Sequence, residues 1–431
     1  MQDRRAFFKT GAAAALSIGS SRILGANDRV NLGIIGLGGR GRYHVGAFSR
    51  IPDARVAALC DVNQEARERN SAMVIKAGGQ KPAEFVDMRK MFEDKSIDAV
   101  SMATPNHWHS LGTIWACQAG KDVYCEKPAS HNIYEGQKMV EAARKYGRMV
   151  QIGSQSRSVP GFIKGMRLLN EGVIGKVYMA KGLCFKRRKS IGKTPVEPVP
   201  PGLNWDLFLG PAPMRPFSRN RFAYNWHWFW DTGDGDIGNQ GIHEMDKARW
   251  GLNAGLPTLV SSTGGKYVYD DDQETPNTQL ASYDYGDCQI VFEVRGIITG
   301  GESGAEPRGG NTVSNIFYGA DGFMVLEGAG FKVYKGENRE LVLEEKSGGG
   351  EDALHMKNWL SEIKTRNHTG LTADVEVGVR SMALVHLANI SYRLKRTLKF
   401  DPATMTFPGD AEANRLARPE QRKPYAVPDK V

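Results

Sequence analysis

The chain has 431 residues, of which 41% are hydrophobic and 24% charged. That is ordinary folded material for two domains of typical size, and it excludes a chain that is mostly disordered. The formal charge is +9, to which residues 1–26 contribute +3 through four cations against one acid. The remaining excess clusters at residues 186–189 and 415–423 without the interleaved aromatic side chains of a nucleic-acid module, so both clusters read as solvated loop charge and no nucleic-acid partner is expected. Five scattered cysteines (Cys60, Cys117, Cys125, Cys184, Cys288) form no C-x-x-C. They read as buried thiols rather than a disulfide framework or a metal cage, and no metal is expected.

In chain order, residues 1–26 stand apart. Asp3-Arg4-Arg5-Ala6-Phe7-Phe8-Lys9 precedes an alanine-rich apolar run too short to span a bilayer, and Leu24-Gly25-Ala26 suits a small-residue cleavage site. The paired arginines resemble a twin-arginine export signal, which implies folding before export to the periplasm and no integral membrane contact after cleavage.

Residues 27–153 read as a dinucleotide-binding domain. An apolar strand from Val30 runs into Gly36-Leu37-Gly38-Gly39-Arg40-Gly41, spaced G-x-G-x-x-G, with a helix expected next. Gly36 permits the turn, Gly38 and its neighbours Gly39 and Arg40 face a pyrophosphate, and Gly41 lets helix and strand pack closely. A second apolar strand ends in Asp61, 20 positions past the last glycine, where a carboxylate holds the ribose hydroxyls and repels a 2′-phosphate. NAD is therefore expected over NADP. Helices are predicted over 64–77, 88–92, 111–119 and 134–146. Strands are predicted over 97–103, 122–125 and 149–152. This alternation predicts a doubly wound parallel sheet, with ligands beyond the carboxyl ends of the strands.

Two such ends carry polar motifs, Thr104-Pro105-Asn106-His107-Trp108-His109 and Glu126-Lys127-Pro128. Downstream of G-x-G-x-x-G, T-P-N-x-x-H and E-K-P resemble the Gfo/Idh/MocA family, the relatives of glucose–fructose oxidoreductase and inositol dehydrogenase, over most of residues 30–400. The resemblance implies that Lys127 lies beside the nicotinamide and the reacting hydroxyl. It also implies that Glu126 shapes the turn and that Thr104, Asn106 and His109 lie on the cofactor side. Independently, a lysine held in a buried turn near a cationic ring has a lowered pKa and can exchange a proton with a hydroxyl.

Residues 154–400 read as an α+β substrate and oligomerisation domain with a large, mostly antiparallel open sheet. A helix over 161–170 leads to a strand over 175–180, then to a Gly/Lys/Pro-rich loop over 186–202. Glycine-punctuated β segments follow between 256 and 343. Before them, the stretch from Asn225 to Asp246 is densest in chemistry. A helix over 240–250 sets His243 and Asp246 three positions apart. The family's pattern there is D-x-G-x-H-x-x-D, which implies His243 as the proton donor or acceptor at the oxidised carbon, with Asp246 beside it. Asn239 stands where the first acid belongs, and Asp236 or Asp234 could take its role. Trp228 and its neighbouring tryptophans offer either core or a stacking platform for a pyranoside, and Asp236, Asn239, Gln155 and Arg157 could pair substrate hydroxyls. Two late helices, 353–365 and 375–394, are expected beneath the cleft. Residues 401–431 form a polar tail, expected as an arm onto a partner in a dimer or tetramer.

The sequence thus predicts an NAD-dependent oxidoreductase of a carbohydrate or polyol hydroxyl. Export further implies a tightly bound cofactor recycled in place. Two alternatives stay open: a redox-neutral NAD-dependent glycosidase or lyase working by transient oxidation at C3 and elimination, and a non-catalytic sugar-binding scaffold, which the Asn239 departure allows.

Overall fold

The computed structural model describes residues 28–431 apart from 303, 304, 306, 308 and 347. The twin-arginine segment lies outside the described residues. Six short strands form the first sheet: β1 (Val30–Ile35), β2 (Ala54–Cys60), β3 (Ala83–Phe85), β4 (Ala99–Met102), β5 (Asp122–Cys125) and β6 (Val150–Ile152). All pairings are parallel, in the order β3-β2-β1-β4-β5-β6. Five helices connect them: α1 (Gly39–Phe48), α2 (Gln64–Lys76), α3 (Met88–Glu93), α4 (His109–Gln118) and α5 (Ile133–Lys145). β4 and β5 are buried along their whole length because helices cover both faces, so they read as continuous apolar runs. The order reverses between β1 and β4, which opens a crevice at their carboxyl ends.

Helix α6 (Pro160–Asn170) leads into β7 (Val177–Phe185), after which α7 (Trp205–Leu209), α8 (Gly235–Asn239) and α9 (Gly241–Gly251) surround the tryptophan-rich stretch. The second sheet adds β8 (Leu259–Gly265), β9 (Thr278–Asp284), β10 (Gln289–Arg295), β11 (Thr312–Gly319), β12 (Gly322–Glu327), β13 (Gly330–Lys335) and β14 (Glu340–Glu345). Helices α10 (Glu351–Thr365) and α11 (Val375–Leu394), strand β15 (Leu398–Lys399) and helix α12 (Ala411–Ala417) complete the chain. The sheet runs β14-β13-β12-β11-β7-β10-β9-β8-β15 and is antiparallel except where β7 meets β10. β9 and β10 alternate strictly, with Gln279, Ala281, Tyr283, Ile290, Phe292 and Val294 buried under the helices, the period-2 signature of a sheet covered on one face. Among the described residues, no helix is long and apolar enough to cross a membrane.

Three expectations need correction here. Helix α10 does not lie under the cleft, because its Met356, Trp359, Leu360 and Ile363 complete the core of the first domain with Phe48 and Tyr124. Residues 401–431 fold back on their own chain: Tyr425 packs edge-on against Trp108, and Arg422 pairs with Asp206. Burying an aromatic ring on the first domain outweighs the polar composition of that tail. The basic cluster at 186–189 is not merely solvated, because half-buried Arg188 pairs with buried Asp236; at 415–423 Arg418 pairs with Asp429 on the exposed surface. Cys60, Cys117, Cys125 and Cys184 are buried free thiols, and Cys288 is half-buried.

Candidate active site

The crevice at the β1/β4 reversal opens into a cleft of about 900 Å³. Its floor is the glycine turn, where Gly36 has a φ of +79°. A Cβ on Gly41 would stand 1.6 Å from the Gly36 carbonyl oxygen, so this position is closed to any side chain. At Gly38 and Gly39 a Cβ would meet nothing within 4 Å, because those two residues face the open cleft at the start of α1. The Leu37 N–H donates to Asp61 Oδ2 at 2.5 Å and the Asn63 N–H to Oδ1 at 2.8 Å, which fixes the carboxylate at the end of β2. Burial raises its pKa against those two donors. Thr104 also lines the cleft, and its buried Oγ1 has no hydrogen-bond partner among the described residues. An open cradle over a helix N-terminus, a fixed carboxylate at one end and an orphaned hydroxyl at the other fit a dinucleotide such as NAD.

Around Glu126 the first domain builds a dense polar hub. Oε1 accepts from Arg40 Nε at 2.7 Å and Gln155 Nε2 at 3.1 Å, and lies 3.0 Å from His44 Nε2; Oε2 accepts from the Lys127 N–H at 3.1 Å. Burial opposes ionisation, but Arg40 and His44 hold the carboxyl well below the usual range. Arg40 also reaches Asp352 on α10. Next to this anion the half-buried Lys127 Nζ donates to the Asn239 carbonyl oxygen at 2.5 Å, and it lies 3.5 Å from Asn239 Oδ1. Burial lowers its pKa to about 8, with Arg40 and Lys186 pushing the same way against Glu126 and Asp236.

His243, on the first turn of α9, is half-buried, and its ring makes no hydrogen bond among the described residues. Burial, then the charges of Lys127 and Lys247, hold its pKa well below the ordinary value. The ring is therefore neutral near pH 7 and has a lone pair to offer.

Other predicted residues are committed elsewhere. Asn106 and His109 stand behind the cleft wall: Asn106 Nδ2 donates to Asp234 at 2.8 Å, and the His109 ring spans the Pro128 and Thr104 carbonyls at 2.6 and 2.9 Å. His109 holds the two motif turns together and Asn106 ties the first of them to Asp234, and neither lines the cleft. Asp246 does not touch His243. It takes a bidentate pair from Arg157 at 2.7 and 2.8 Å and a bond from Ser381 at 2.5 Å. Gln155 is spent on Glu126 and Tyr124. Asp236 is held by Arg188 at 2.6 and 2.9 Å, and Trp228 is buried with the Arg188 guanidinium over its ring. Buried charges need such partners, which is why these residues turn inward. Asn239 lines the cleft.

Sequence reasoning offered Trp226 only among several tryptophans and did not single out Tyr224 or His227, yet all three form a wall of the cleft, with Trp226 stacked on the His227 ring at 3.6 Å. The Tyr224 hydroxyl accepts from Arg188 at 3.0 Å and from Asn239 at 2.9 Å. The end of the loop over 186–202 docks on the first domain, where the Gly202 carbonyl accepts the Gln64 N–H at 2.9 Å. Only the aromatic density of residues 224–230 signalled this wall, and it did not say which rings face the cleft.

Comparison with known proteins is consistent with this layout. Residues 30–154 match the family described as "Oxidoreductase family, NAD-binding Rossmann fold", and residues 166–296 and 319–427 match its "C-terminal alpha/beta domain". The chain is 26% identical over 264 residues to a "Glycosyl hydrolase family 109 protein" of Saccharopolyspora erythraea, covering 60% of this chain and 50% of that one. It is 30% identical over 176 residues to a myo-inositol 2-dehydrogenase of Thermotoga maritima, covering 41% and 48%. The chain spans about half the length of these curated relatives. Among solved structures, the WlbA dehydrogenase of Bordetella pertussis, in complex with NADH and UDP-GlcNAcA, superposes with a TM-score of 0.65 at 19% identity, covering 86% of this chain and 99% of that one. An aldose-aldose oxidoreductase of Caulobacter crescentus gives 0.63 at 18% identity, covering 86% and 100%. At those identities the superpositions establish the fold, and the family matches cover both domains. The chain belongs to the Gfo/Idh/MocA oxidoreductase family, with an NAD-binding Rossmann domain followed by the family's C-terminal α/β domain.

Proposed function

We propose that the protein oxidises a hydroxyl of a carbohydrate or polyol with NAD, and that it keeps and recycles the cofactor in the cleft. Bound NAD supplies a hydride acceptor. The observation that carries the reading is the Lys127 amine, with a pKa of about 8, at the junction of the cofactor cleft and the end of α8 that holds Asn239. Such a group is partly neutral near pH 7 and can take a hydroxyl proton, while neutral His243 accepts a hydrogen bond or proton on the substrate side. Glu126 anchors the turn, and Arg40 screens its charge. The dehydrogenases among the relatives support the substrate class. Retention of the cofactor follows from the export expectation, since a periplasm offers no free nicotinamide pool. An aldose-aldose exchange, as in the Caulobacter protein's name, is one way to regenerate it.

The glycosyl hydrolase relative favours a second reading. There, transient oxidation at C3 acidifies the C2 hydrogen, the glycosidic substituent leaves, water adds, and C3 is reduced again with no net redox change.

Both readings are tested on the as-isolated protein. Native mass spectrometry should find one NAD per chain; cofactor-free protein would overturn retention. With no added NAD, release of an aryl glycoside's aglycone without accumulating NADH absorbance would replace the dehydrogenase reading. Oxidised sugar accumulating once an acceptor sugar is supplied, without aglycone release, would remove the glycosidase.

A further inference from the structure

Arg40 and Lys127 line the cleft, and Arg188, Lys186 and Lys247 lie near it; three of these five cations are neutralised in place. Arg40 pairs with Glu126 and Asp352, Arg188 with Asp236, and Lys247 with Glu244 at 3.3 Å. The other two are Lys127 and Lys186. Among the described residues neither has a carboxylate partner, and each is held by a neutral group from one of two consecutive residues. Lys127 Nζ donates to the Asn239 carbonyl at 2.5 Å, and Lys186 Nζ donates to Gln240 Oε1 at 2.8 Å. Lys186 is half-buried on the chain leaving β7, and its charge acts on Lys127. Gln240 itself sits beside Asn239, and its carbonyl accepts the His243 N–H at 3.1 Å. Lys127 shares its neighbouring anion, Glu126, with Arg40 and His44, whereas Lys186 carries a half-buried charge beside the cleft-lining Asn239 with only an amide for a partner, an arrangement that favours entry of an anion.

We infer that Lys186, seated on Gln240, is the recognition point for a carboxylate on the substrate, so that the sugar oxidised at Lys127 and His243 is a sugar acid. The inference rests on the oxidoreductase reading for the word oxidised, but the anion subsite stands or falls by itself. The ammonium would grip the carboxylate, while Gln240, whose amide NH2 donates to Glu244 Oε2 at 3.4 Å, would hold the ammonium in place. The reacting hydroxyl would lie toward Lys127, one residue's width away along the Asn239–Gln240 backbone. The dinucleotide phosphates do not compete for this charge, because their cradle is at Gly38 and Gly39, at the start of α1.

The test is a calorimetric titration of the cofactor-loaded, full-length protein with D-glucuronate and D-gluconate against D-glucose and D-glucitol, at low and moderate salt, with NAD reduction read in parallel. The acids should bind at least about tenfold more tightly than their neutral partners, and the advantage should shrink with salt. Lys186→Met should erase the advantage, Lys186→Arg should keep most of it, and Gln240→Glu, which supplies the missing anion, should erase it in a folded protein with both lysines intact. Equal binding of acids and neutral sugars by the wild type, or an acid preference that survives Lys186→Met, would overturn the subsite and leave the redox reading untouched. Lys186-dependent acid binding with no NAD reduction by either set would support the subsite and defeat the redox reading.

Discussion

Replacing Asn239 with Asp restores a carboxylate at a position where the family pattern has an acid, at almost no change in shape. The new charge would sit about 3.5 Å from Lys127 Nζ, the present Oδ1 distance. At that separation Coulomb attraction lies between about 1 kcal/mol in a water-like dielectric and about 5 kcal/mol at an effective dielectric of 20. That range corresponds to a rise of about 1 to 3.5 pKa units. Lys127 would then move from about 8 to between about 9 and 11.5, and its neutral fraction at pH 7.5 would fall from about a quarter to about 3% or less. The sign is fixed, because an added anion stabilises the ammonium and the acidic limb of kcat/KM must shift to higher pH. The rate at pH 7.5 should drop at least about eightfold and recover in alkali. Competitive acetylation of the amine, read by mass spectrometry of the peptide containing Lys127, follows the same titration without needing a substrate. A Lys127 pKa that moves by less than about half a unit in Asn239→Asp would refute the claim that this neutral amide keeps the lysine poised.

Three further outcomes follow from the geometry. Lys127→Ala should abolish turnover while NAD stays bound, since the dinucleotide cradle does not depend on the amine; unchanged turnover removes Lys127 from the chemistry. Gly38→Ala and Gly41→Ala should separate binding from folding. The first adds a methyl in open cleft and should weaken NAD binding at least about tenfold with little change in Tm, whereas the second drives a Cβ into the Gly36 carbonyl and should cost about 3 kcal/mol or more of stability in a denaturant melt. Asp234 is buried at the far end of the Asn106 bond, and burial raises its pKa to about 8 from 3.8. A raised acid favours folding below the unfolded pKa and loses that contribution as pH climbs toward 8. Asp234→Asn, which can still accept from Asn106, should flatten the stability profile over that window and gain on the order of 2 kcal/mol at pH 8; an unchanged pH slope in thermal melts refutes the assignment.

The first domain was legible because its signals are local. Alternating apolar strands and capped helices, and glycines whose turn tolerates no side chain, are readable one segment at a time. The second domain was legible as β-rich but not in its order, since β7 precedes its parallel partner β10 by about a hundred residues and no local pattern records that pairing. The tail and α10 were misplaced for a related reason: an amphipathic or polar segment does not say which apolar surface it covers. Trp359 on Tyr124 and Tyr425 on Trp108 are choices made by shape.

At the site, the chain by itself determined the chemical parts: the glycine cradle, Asp61, the lysine after Glu126, and His243 three positions before an acid. Only the tertiary structure decided which of those parts are free to act. Asp246, Asp236, Arg157 and Gln155 look equally available in sequence, yet each is consumed by a buried partner, because a charge or amide taken out of water must be paired. Lys186 is left without a carboxylate by that same pairing of its neighbours, and Lys127 shares Glu126 with Arg40 and His44. The motif found Lys127, but no spacing rule could have found Lys186, because its role depends on charges brought together from distant parts of the chain.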